Sequence, residues 1–434
     1  GVQTCALPIS VVDISATKLR AIADRLDLMC LEGSGVSSET LREAGVKDAD
    51  LLIATTDTDE KNVLICLIAK KLGNCQTIAR ITNPEYIKDI RLIKDELNLA
   101  MVLNPDYAAA SEILRLVKFP SAMEIDTFAK GRVEMLKLTI PKDSILHDCR
   151  IRDLSSKVHC NVLVCAVERD GEVIIPDGNF ILKEGDLISF VGQHRQALSF
   201  VREMGLLTDG IRSVMIIGGS KIAMYLAKAL EDMGISVKII ERDYDRCMFL
   251  SNQLDKSIII NGDGSDRQLL MEEGVEEVDA VATLTGFDEE NIMISLYVGS
   301  VSKAKVITKI NRITFEDVIN GLNLGSVVNP KIISAERITR YVRGMQNSLG
   351  SNIETLYKIA SGKAEALEFR VREGSESVGI PLMDLKLKKN LLIACINRQG
   401  NIIIPGGHDR IEIGDTVIVA TAETGLNDLK DIFE

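Results

Sequence analysis

The chain has 434 residues, of which 46% are apolar and only 4% aromatic, and it contains no tryptophan. This length points to several domains rather than one core, and the shortage of aromatic residues argues against a β-sandwich or a carbohydrate-binding protein. The formal net charge of -12 repels polyanions from the surface as a whole, so nucleic acid is not an expected partner.

Residues 1–10 do not continue the pattern that follows them. They carry no positively charged region and no cleavage-site pattern, so they predict no secretory signal, and we expect the N-terminus to be incomplete. No apolar run reaches the roughly eighteen residues that a membrane-spanning helix needs. The nine cysteines form no C-x-x-C pairs, and His147 and His159 lack zinc-ligand spacing to their cysteine neighbours. We therefore expect buried thiols in a reducing cytoplasm and no metal site.

The chain repeats itself with an offset of 229 residues, as between Pro176 and Pro405. LLIATTDTDEKN at 51–62 matches AVATLTGFDEEN at 280–291, and ERDGEVIIPDGNFILKEGDLISFVG at 168–192 matches NRQGNIIIPGGHDRIEIGDTVIVAT at 397–421. Two different units therefore alternate in the order A, B, A′, B′. We place A at residues 11–120, B at 121–209, A′ at 211–350 and B′ at 351–434.

Unit A begins at what is the second strand of A′. VVDIS at residues 11–15 aligns with the A′ strand that ends at Glu241, and Asp13 takes the position of that acid. The first strand and its glycine turn have no counterpart in A, so the phosphate-binding part of a nucleotide site is missing there. By position, the site residues of this copy are Asp13, Thr56, Asp57 and Arg80.

The B units are predicted to be small α+β domains built from hairpins. In B, the dipeptide Asp170-Gly171 separates two apolar runs, and Gly185-Asp186 precedes a third. Dipeptides of this kind are typical of turns between antiparallel strands. B′ repeats the pattern at the same offset.

Unit A′ alternates short aliphatic runs with helix-like segments. The runs cover residues 214–217, 237–240, 257–260, 278–282 and 305–310. Continuous aliphatic strands separated by amphipathic helices specify a parallel sheet that is covered on both faces. We therefore predict an α/β chain with two doubly wound, Rossmann-like parallel-sheet domains, each followed by a small α+β domain, as a tandem duplication.

A glycine turn joins the first strand of A′ to its first helix. After the strand VMII come Gly218, Gly219, Ser220, Lys221, Ile222 and Ala223, followed by the helix-like stretch MYLAKALEDMG. In this context, backbone amides at a helix N-terminus bind a dinucleotide pyrophosphate. Gly218 supplies the tight turn, whereas Ser220 stands where the pattern has its second glycine and narrows the approach to the phosphates.

The other candidate residues of A′ follow the later strands. Glu241 ends the second strand about twenty residues after the turn, where a carboxylate accepts hydrogen bonds from ribose hydroxyls. An acid there repels a 2′-phosphate, so NAD(H) or an adenine nucleotide is favoured over NADP(H). Only the positive charge of the adjacent Arg242 favours NADP(H). The remaining candidates at this sheet edge are Gly262, Asp263, Thr285 and Gly286, with Lys221 and Lys309 as phosphate partners.

The A, B, A′, B′ order, the IIGGSKIA turn, the IERD acid, the TGFDEEN segment and the IIPGG…GD hairpin together resemble one family. They are similar to the peripheral subunits of Trk potassium-uptake systems, which are built from RCK (regulator of potassium conductance) domains. The resemblance covers nearly all of residues 11–434. It implies nucleotide contacts at Gly218, Gly219, Ser220, Lys221, Ile222, Glu241 and Thr285, and in the first copy at Asp13, Thr56, Asp57 and Arg80.

The resemblance also implies a function. It predicts a regulatory subunit without enzymatic activity that binds NAD(H), and also ATP or ADP, and thereby biases the gating of a potassium transporter. Its expected partners are a Trk-type membrane-embedded potassium-transporting subunit and further copies of itself, as a homo-oligomer and by family resemblance a tetramer. The expected location is cytoplasmic, peripheral on the inner face of the plasma membrane.

Two other functions are compatible with the residues. An NAD-dependent oxidoreductase uses the same turn and acid, but it also needs a positioned acid or base, and the histidines of B have no histidine counterparts in B′. A purely structural scaffold retains the fold without a ligand, its glycines only shaping turns. The acidic run at Glu272-Glu273 and Glu276-Glu277 is interpreted as a solvated helix face and not as a cation site.

Overall fold

The computed structural model describes residues 9–433, except for positions 74, 84–85, 87–88, 91–93, 95–96, 119–123, 130–131, 143, 207–209, 313–320, 349–352, 360–362, 374, 376, 423–425 and 427. The chain forms two compact units. The first comprises Gly1–Ala109 and Asn329–Thr339, and the second comprises Ala110–Val328 and Arg340–Glu434. The compact units therefore do not coincide with the repeats of the sequence.

The described part of A contains two separate parallel sheets. Its strands are β1 (Ser10–Asp13), β2 (Met29–Glu32), β3 (Leu51–Ala54), β4 (Gln76–Arg80) and β5 (Leu99–Leu103). Its helices are α1 (Ala16–Ala23), α2 (Ser38–Glu43), α3 (Asp59–Gly73) and α4 (Pro105–Lys118). Strand β1 pairs with β2, whereas β3, β4 and β5 form the second sheet in that order.

The described residues of unit B form a five-stranded antiparallel sheet and two α-helices. The strands are β6 (Glu124–Phe128), β7 (Val133–Thr139), β8 (Val162–Arg169), β9 (Glu172–Ile174) and β10 (Leu187–Gly192). The helices are α5 (Leu154–Lys157) and α6 (His194–Glu203), and the strand order is β6-β7-β10-β8-β9. Asp170 and Gly171 have φ values of 54° and 80° in the β8–β9 hairpin, as the two-residue turn requires.

Unit A′ forms one six-stranded parallel sheet. Its strands are β11 (Ser213–Ile217), β12 (Ser236–Glu241), β13 (Ile258–Asn261), β14 (Ala280–Thr283), β15 (Lys305–Lys309) and β16 (Ser326–Val328), in the order β13-β12-β11-β14-β15-β16. The helices of its described residues are α7 (Lys221–Asp232), α8 (Tyr244–Gln253), α9 (Arg267–Glu272), α10 (Asp288–Val301) and α11 (Pro330–Ser348). All four residues of β14 are buried, as expected for a strand covered on both faces.

The two sheets of A correspond to the A′ sheet without its central strand. In A′, β11 lies between β12 and β14 and pairs with both. The counterparts of those two neighbours are β1 and β3, and no strand of the described part of A takes the position of β11. In A′, β11 supplies the hydrogen bonds that join the two halves of the sheet. Among the described residues of A, the corresponding halves are a two-stranded and a three-stranded sheet.

The sheet of unit B′ repeats the strand order of the sheet of B. Its strands are β17 (Ile353–Ile359), β18 (Ala364–Arg370), β19 (Leu391–Arg398), β20 (Asn401–Ile403) and β21 (Thr416–Thr421), in the order β17-β18-β21-β19-β20. In both copies an arginine at the end of one strand binds a buried aspartate through two parallel hydrogen bonds. These pairs are Arg169–Asp186 and Arg398–Asp415. The repeated Gly-Asp dipeptide therefore has a structural role.

The sheets of B and B′ pack against each other through a shared core of small side chains. This core includes Cys165, Ala166 and Val191 from B, and Ala366, Cys395 and Ala420 from B′. Two cations cross the junction in a reciprocal manner. Lys363 donates a hydrogen bond to the Gly171 carbonyl at 2.5 Å, and the Arg132 guanidinium lies against the turn at Gly400. Small side chains allow the two backbones to approach closely, which produces one continuous core.

The predicted fold class is confirmed. The chain is a mixed α/β protein in which a parallel-sheet unit and a small antiparallel unit occur twice. Short 3-10 helices complete the described elements at Val46–Asp48, Ile151–Asp153, Leu382–Asp384 and Leu429–Ile432. Among the described residues, every helix is too short or too polar to pass through a bilayer.

Candidate functional site

A cleft of about 580 Å³ opens at the carboxyl edge of the A′ sheet, where β11, β12 and β14 end. Strand order reverses at β11, and open parallel sheets bind their ligands at such a switch point. The predicted residues that line the cleft are Gly218, Gly219, Ser220, Glu241, Asp263, Thr285 and Gly286. The predicted residues Lys221, Ile222, Gly262 and Lys309 are not among its lining residues.

The glycine turn after β11 requires glycine at Gly218 and is closely packed at Gly219. Gly218 has φ +99°, and a Cβ atom there would lie 2.8 Å from the Thr285 amide nitrogen and 2.9 Å from the Leu284 carbonyl. A Cβ on Gly219 would lie 2.6 Å from the Leu250 side chain. The turn thus packs tightly between the ends of its neighbouring elements. A side chain at Gly218 would displace the turn, whereas one at Gly219 would require the Leu250 side chain to shift.

Ser220 occupies the N-cap of α7. Its backbone is extended, with φ -65° and ψ 174°, so no glycine is required there, and its hydroxyl accepts a hydrogen bond from the Ala223 amide at 3.3 Å. The serine therefore satisfies one of the free amides of the helix start. Lys221 is exposed on the first turn of α7, and Ile222 is buried in the core.

Both carboxylate oxygens of Glu241 bind backbone amides around the cleft. Oε2 accepts from the Gly219 amide at 2.6 Å, and Oε1 accepts from the Asp243 amide at 2.8 Å. A carboxylate oxygen has about two acceptor positions, so each retains one for a hydroxyl donor. Glu241 thus fixes the glycine turn and keeps the acceptor capacity that a ribose diol requires.

Arg246 is a site residue that the sequence reasoning missed. Its Nε donates to the Gly219 carbonyl at 2.5 Å, its guanidinium lies 4.7 Å from the centre of the Phe249 ring, and its Nη2 is buried without a hydrogen-bond partner. Burial lowers the pKa of Arg246, against the opposing charges of Glu241 and Asp243. A buried donor without a partner costs free energy, which a bound anion would recover.

The position of Arg246 follows from the cap of α8. The Asp243 side chain accepts from the Arg246 amide at 2.8 Å, which starts the helix directly after the acid of β12 and places Arg246 in its first turn. An arginine three residues after a capping aspartate at the end of the second strand was therefore the available signal in the sequence.

Among the described residues that line the cleft, carboxylates outnumber cations. Its acidic lining residues are Glu241, Asp243, Asp245, Asp263 and Glu290, against Arg242 and Arg246. Two hydrogen bonds from Ser265 to Asp263, at 2.8 Å and 2.7 Å, outweigh burial and, with the charge of Arg242, hold the pKa of Asp263 below its usual value. This balance disfavours a ligand with a phosphate group outside the reach of the two arginines.

The glycines of NGDG allow the loop after β13 to approach the sheet. A Cβ on Gly262 would lie 2.4 Å from the Leu269 side chain, and one on Gly264 would lie 2.3 Å from that of Ile217. Their repeat counterparts are also confined, since a Cβ on Gly33 would lie 2.6 Å from the Thr40 side chain. Close packing at these positions therefore explains why glycines recur there in both copies.

The asparagine of the repeated Asp-x-x-Asn in the TDTDEKN and TGFDEEN segments links two backbone segments by hydrogen bonds. Asn291 is fully buried, accepts from the Thr285 amide at 2.9 Å and donates to the Lys309 carbonyl at 3.0 Å. Asn62 makes the same two bonds to Thr56 and Arg80 in the first copy. The asparagine therefore ties the loop after one strand to the end of the next.

Lys309 and Arg80 lie at matching positions and bind backbone oxygens. Lys309 Nζ donates to the Thr285 carbonyl at 2.6 Å, and Arg80 Nη2 donates to the Thr56 carbonyl. In A, Asp13 accepts from the Ser15 amide at 2.8 Å, while Asp57 is exposed and pairs with Lys61 at 2.9 Å. Each cation thus stabilises the loop after β3 or β14.

The cysteines of the described residues are free thiols, mostly buried. Burial raises the pKa of Cys66 to about 11 and that of Cys395 to about 12, so both remain protonated at neutral pH. No group of three metal-ligating side chains occurs within the part of the chain that the structure describes.

Two domain families match the chain, each of them twice. The TrkA-N domain matches residues 2–105 and 214–330, and the TrkA-C domain matches residues 135–205 and 366–434. The two TrkA-N matches cover the parallel-sheet units, and the two TrkA-C matches cover the antiparallel ones.

Whole proteins of the same organisation are also similar to this chain. The Trk system potassium uptake protein TrkA homolog 1 of Methanosarcina mazei is 30% identical over 420 residues, which are 95% of this chain and 92% of that protein. The TrkA protein of Vibrio alginolyticus is 32% identical over 421 residues, which are 95% and 90% of the two chains.

Solved structures support the same fold at lower sequence identity. The GsuK channel has a TM-score of 0.62 at 16% identity, covering 97% of this chain and 73% of that chain. The GsuK RCK domain has a TM-score of 0.60 at 16% identity, covering 95% and 87%. With both domain families present twice and the relatives matched along almost their whole length, the chain belongs to the TrkA family of Trk-system potassium uptake proteins.

Proposed function

We propose that this chain is a regulatory subunit of a potassium-uptake transporter and that it binds NAD(H) or another adenine nucleotide in the A′ cleft. The observation that supports binding most directly is the buried, unpartnered Nη2 of Arg246 beside the glycine turn. The pyrophosphate lies at Gly218, Gly219 and Ser220 within reach of that guanidinium, and the ribose hydroxyls bind the free acceptor positions of Glu241.

The charge of the cleft favours NAD(H) over NADP(H). A 2′-phosphate would lie beside Glu241, in a cleft whose carboxylates outnumber its arginines. ADP and ATP share the adenosine and pyrophosphate groups, so they fit the same positions. A second solved structure of the GsuK channel, which has this fold at 16% identity and a TM-score of 0.59, is bound to NAD.

Membership of the TrkA family supports a proposed assembly and location. The relatives are named as potassium uptake proteins of Trk systems. We infer that the partner is a membrane-embedded potassium-transporting subunit, contacted from the cytoplasmic side of the plasma membrane. The chain acts as a homo-oligomer, for which we propose a tetramer, and it catalyses no reaction. Its four domains are those assigned from the repeats, at 11–120, 121–209, 211–350 and 351–434.

Regulation requires that the nucleotide prefers one of two states of the transporter. A ligand shifts such an equilibrium only by its difference in affinity for the two states. We assign the sensing role to A′, because the glycine turn, Glu241 and Arg246 line one cleft there. The candidate residues of the first copy, which are Asp13, Thr56, Asp57 and Arg80, remain a second, separately testable site.

Calorimetric titration of NADH, NAD, ADP and ATP into the full chain tests this proposal. Arg246→Gln should weaken binding by about tenfold or more, because a charge-assisted hydrogen bond is lost. Arg267→Gln is the matched control, since Arg267 lies over the Tyr297 ring and does not line the cleft. If wild type binds none of the four nucleotides, or if it oxidises or reduces the cofactor without a partner protein, the proposal is wrong.

A further inference from the structure

The A′ cleft holds a planar cation near an aromatic ring. Arg242 and Phe287 both line the cleft, and the Arg242 guanidinium carbon lies 5.9 Å from the centre of the Phe287 ring. Phe287 is 57% exposed, so more than half of its surface is accessible to a ligand in the cleft. Arg242 directly follows Glu241 in the chain, so the pair lies next to the acid that is expected to bind ribose.

Phe287 breaks the local rule for a helix start. It is the N-cap residue of α10, where serine, threonine, aspartate or asparagine normally caps an amide, and its side chain makes no capping bond. Two hydrogen bonds between Thr285 and the backbone of Phe287 hold this turn in place. Local rules that are broken at an ordered position are expected at functional sites.

The repeat supplies an internal comparison. The residue of A that matches Phe287 is Thr58, whose hydroxyl accepts from the Lys61 amide at 3.3 Å in the ordinary capping manner. The residue that matches Arg242 is Ile14. The cation and the ring therefore occur together in A′, whereas A has Ile14 and Thr58 at these positions.

We propose that Arg242 and Phe287 bind the purine base of the nucleotide between them, as two stacking faces. This inference rests on the proposed nucleotide site and names the part that recognises the base. Planar groups stack at about 3.5–4.0 Å, so a base between two of them needs about 7–8 Å. The observed 5.9 Å is too wide for direct stacking, and a side-chain rotation that widens it by about 1–2 Å admits a base.

Phe287→Thr tests the proposal because it should affect ligand binding and protein stability differently. It should weaken ADP binding by about 5- to 150-fold, because one stacking face is lost. It should also leave unchanged or raise the melting temperature of the ligand-free protein, because threonine restores the cap that Thr58 provides in A. Arg242→Lys keeps the charge but removes the plane, and it should weaken ADP binding in the same direction.

The probe is 1,N6-etheno-ADP, whose base fluorescence is quenched by stacking, measured with the full chain, which contains no tryptophan. We expect quenching in wild type and its loss in Phe287→Thr. The control is Tyr244→Leu, an exposed aromatic position that does not line the cleft, and it should quench like wild type. This result would support stacking of the base between Arg242 and Phe287. If wild type binds the probe and Phe287→Thr binds and quenches equally well, the proposed base stacking is wrong but the nucleotide site stands. Absence of probe, ADP and NAD binding by wild type overturns both.

Discussion

The carboxylate of Glu241 accepts a hydrogen bond from the backbone amide of Gly219 at 2.6 Å. The carbonyl of the same glycine accepts from Arg246. A carboxylate and a guanidinium therefore bind the two peptide groups of one turn residue. The acid that is expected to bind ribose is therefore also the group that shapes the phosphate-binding turn. A change at Glu241 must affect both parts of a dinucleotide site.

Glu241→Gln removes the negative charge and one of the two amide acceptors. We expect NAD affinity to fall by about tenfold or more, because charge-assisted hydrogen bonds of about 1.5–3 kcal/mol are weakened. The preference for NAD over NADP should also decrease. Calorimetric titration of both cofactors measures the two effects, with Glu276→Gln on an exposed position as control. Equal affinity of Glu241→Gln and wild type for NAD would contradict the assignment.

Gly218→Ala should destabilise the A′ unit. The new Cβ would lie 2.8 Å from the Thr285 nitrogen at a φ of +99°, so both contact and backbone conformation are unfavourable. We expect a loss of about 2–4 kcal/mol, measured by urea denaturation. Gly286→Ala is the matched control, because no atom lies within 4 Å of a Cβ there. A similar loss in the two variants would show that the clash does not limit stability.

Asn291→Ala removes the hydrogen-bonded link between the loop after β14 and the end of β15. The side chain is fully buried and makes its bonds to the main chain, so its loss leaves buried backbone groups without partners. We expect about 2–4 kcal/mol of destabilisation, measured by urea denaturation. Gln268→Ala on the exposed face of α9 should change stability by less than about 0.5 kcal/mol in the same assay.

Two carboxylates should make A′ sensitive to acid. Burial raises the pKa of Asp279 and of Glu231, but hydrogen bonds from Arg212 and Ser213 to the first, and from Lys256 and Ser257 to the second, outweigh it. Both pKa values are therefore below their ordinary values of 3.8 and 4.5. The unfolded chain then binds more protons, so the stabilisation is complete above about pH 4.5 and is lost as pH falls through the lower folded values.

The variants Asp279→Asn and Glu231→Gln test this pH dependence. At pH 7 each should lower the free energy of unfolding by about 1–2 kcal/mol relative to wild type. The difference should shrink as pH falls below about 4, because the wild-type carboxylates become protonated there. Denaturation curves between pH 7 and pH 3 measure it, and a difference that stays constant over that range would rule out the assigned role.

Periodicity and spacing were sufficient to predict the duplicated α/β architecture. The aliphatic runs of A′ became the strands β11 to β15, because a strand buried on both faces leaves a continuous apolar signature. The short strand β16 was missed, since three residues are too few to show a period. The packing of B on B′ was also not predicted, because alternation shows that a face is buried and not what buries it.

The site was predicted in part, for a similar reason. Gly218, Glu241 and Thr285 lie at strand ends, and parallel strands bring such positions to one edge without knowledge of the packing. Arg246 lies inside a helix, so its direction depends on how that helix rotates against the sheet. Lys309 follows a strand as predicted, but its ammonium donates to the Thr285 carbonyl, a contact that spacing alone does not specify.

The reciprocal junction of Lys363 with Gly171 and of Arg132 with Gly400 joins two modules of a single polypeptide. Two separate modules of this size would associate according to their concentration, whereas here the linked partner is present at a fixed, high local concentration. Dilution therefore cannot separate B from B′. B and B′ are separate stretches of the same chain, so a substitution can change one of the two packed faces and leave the other unchanged. In an assembly of identical subunits, the same substitution would change both faces.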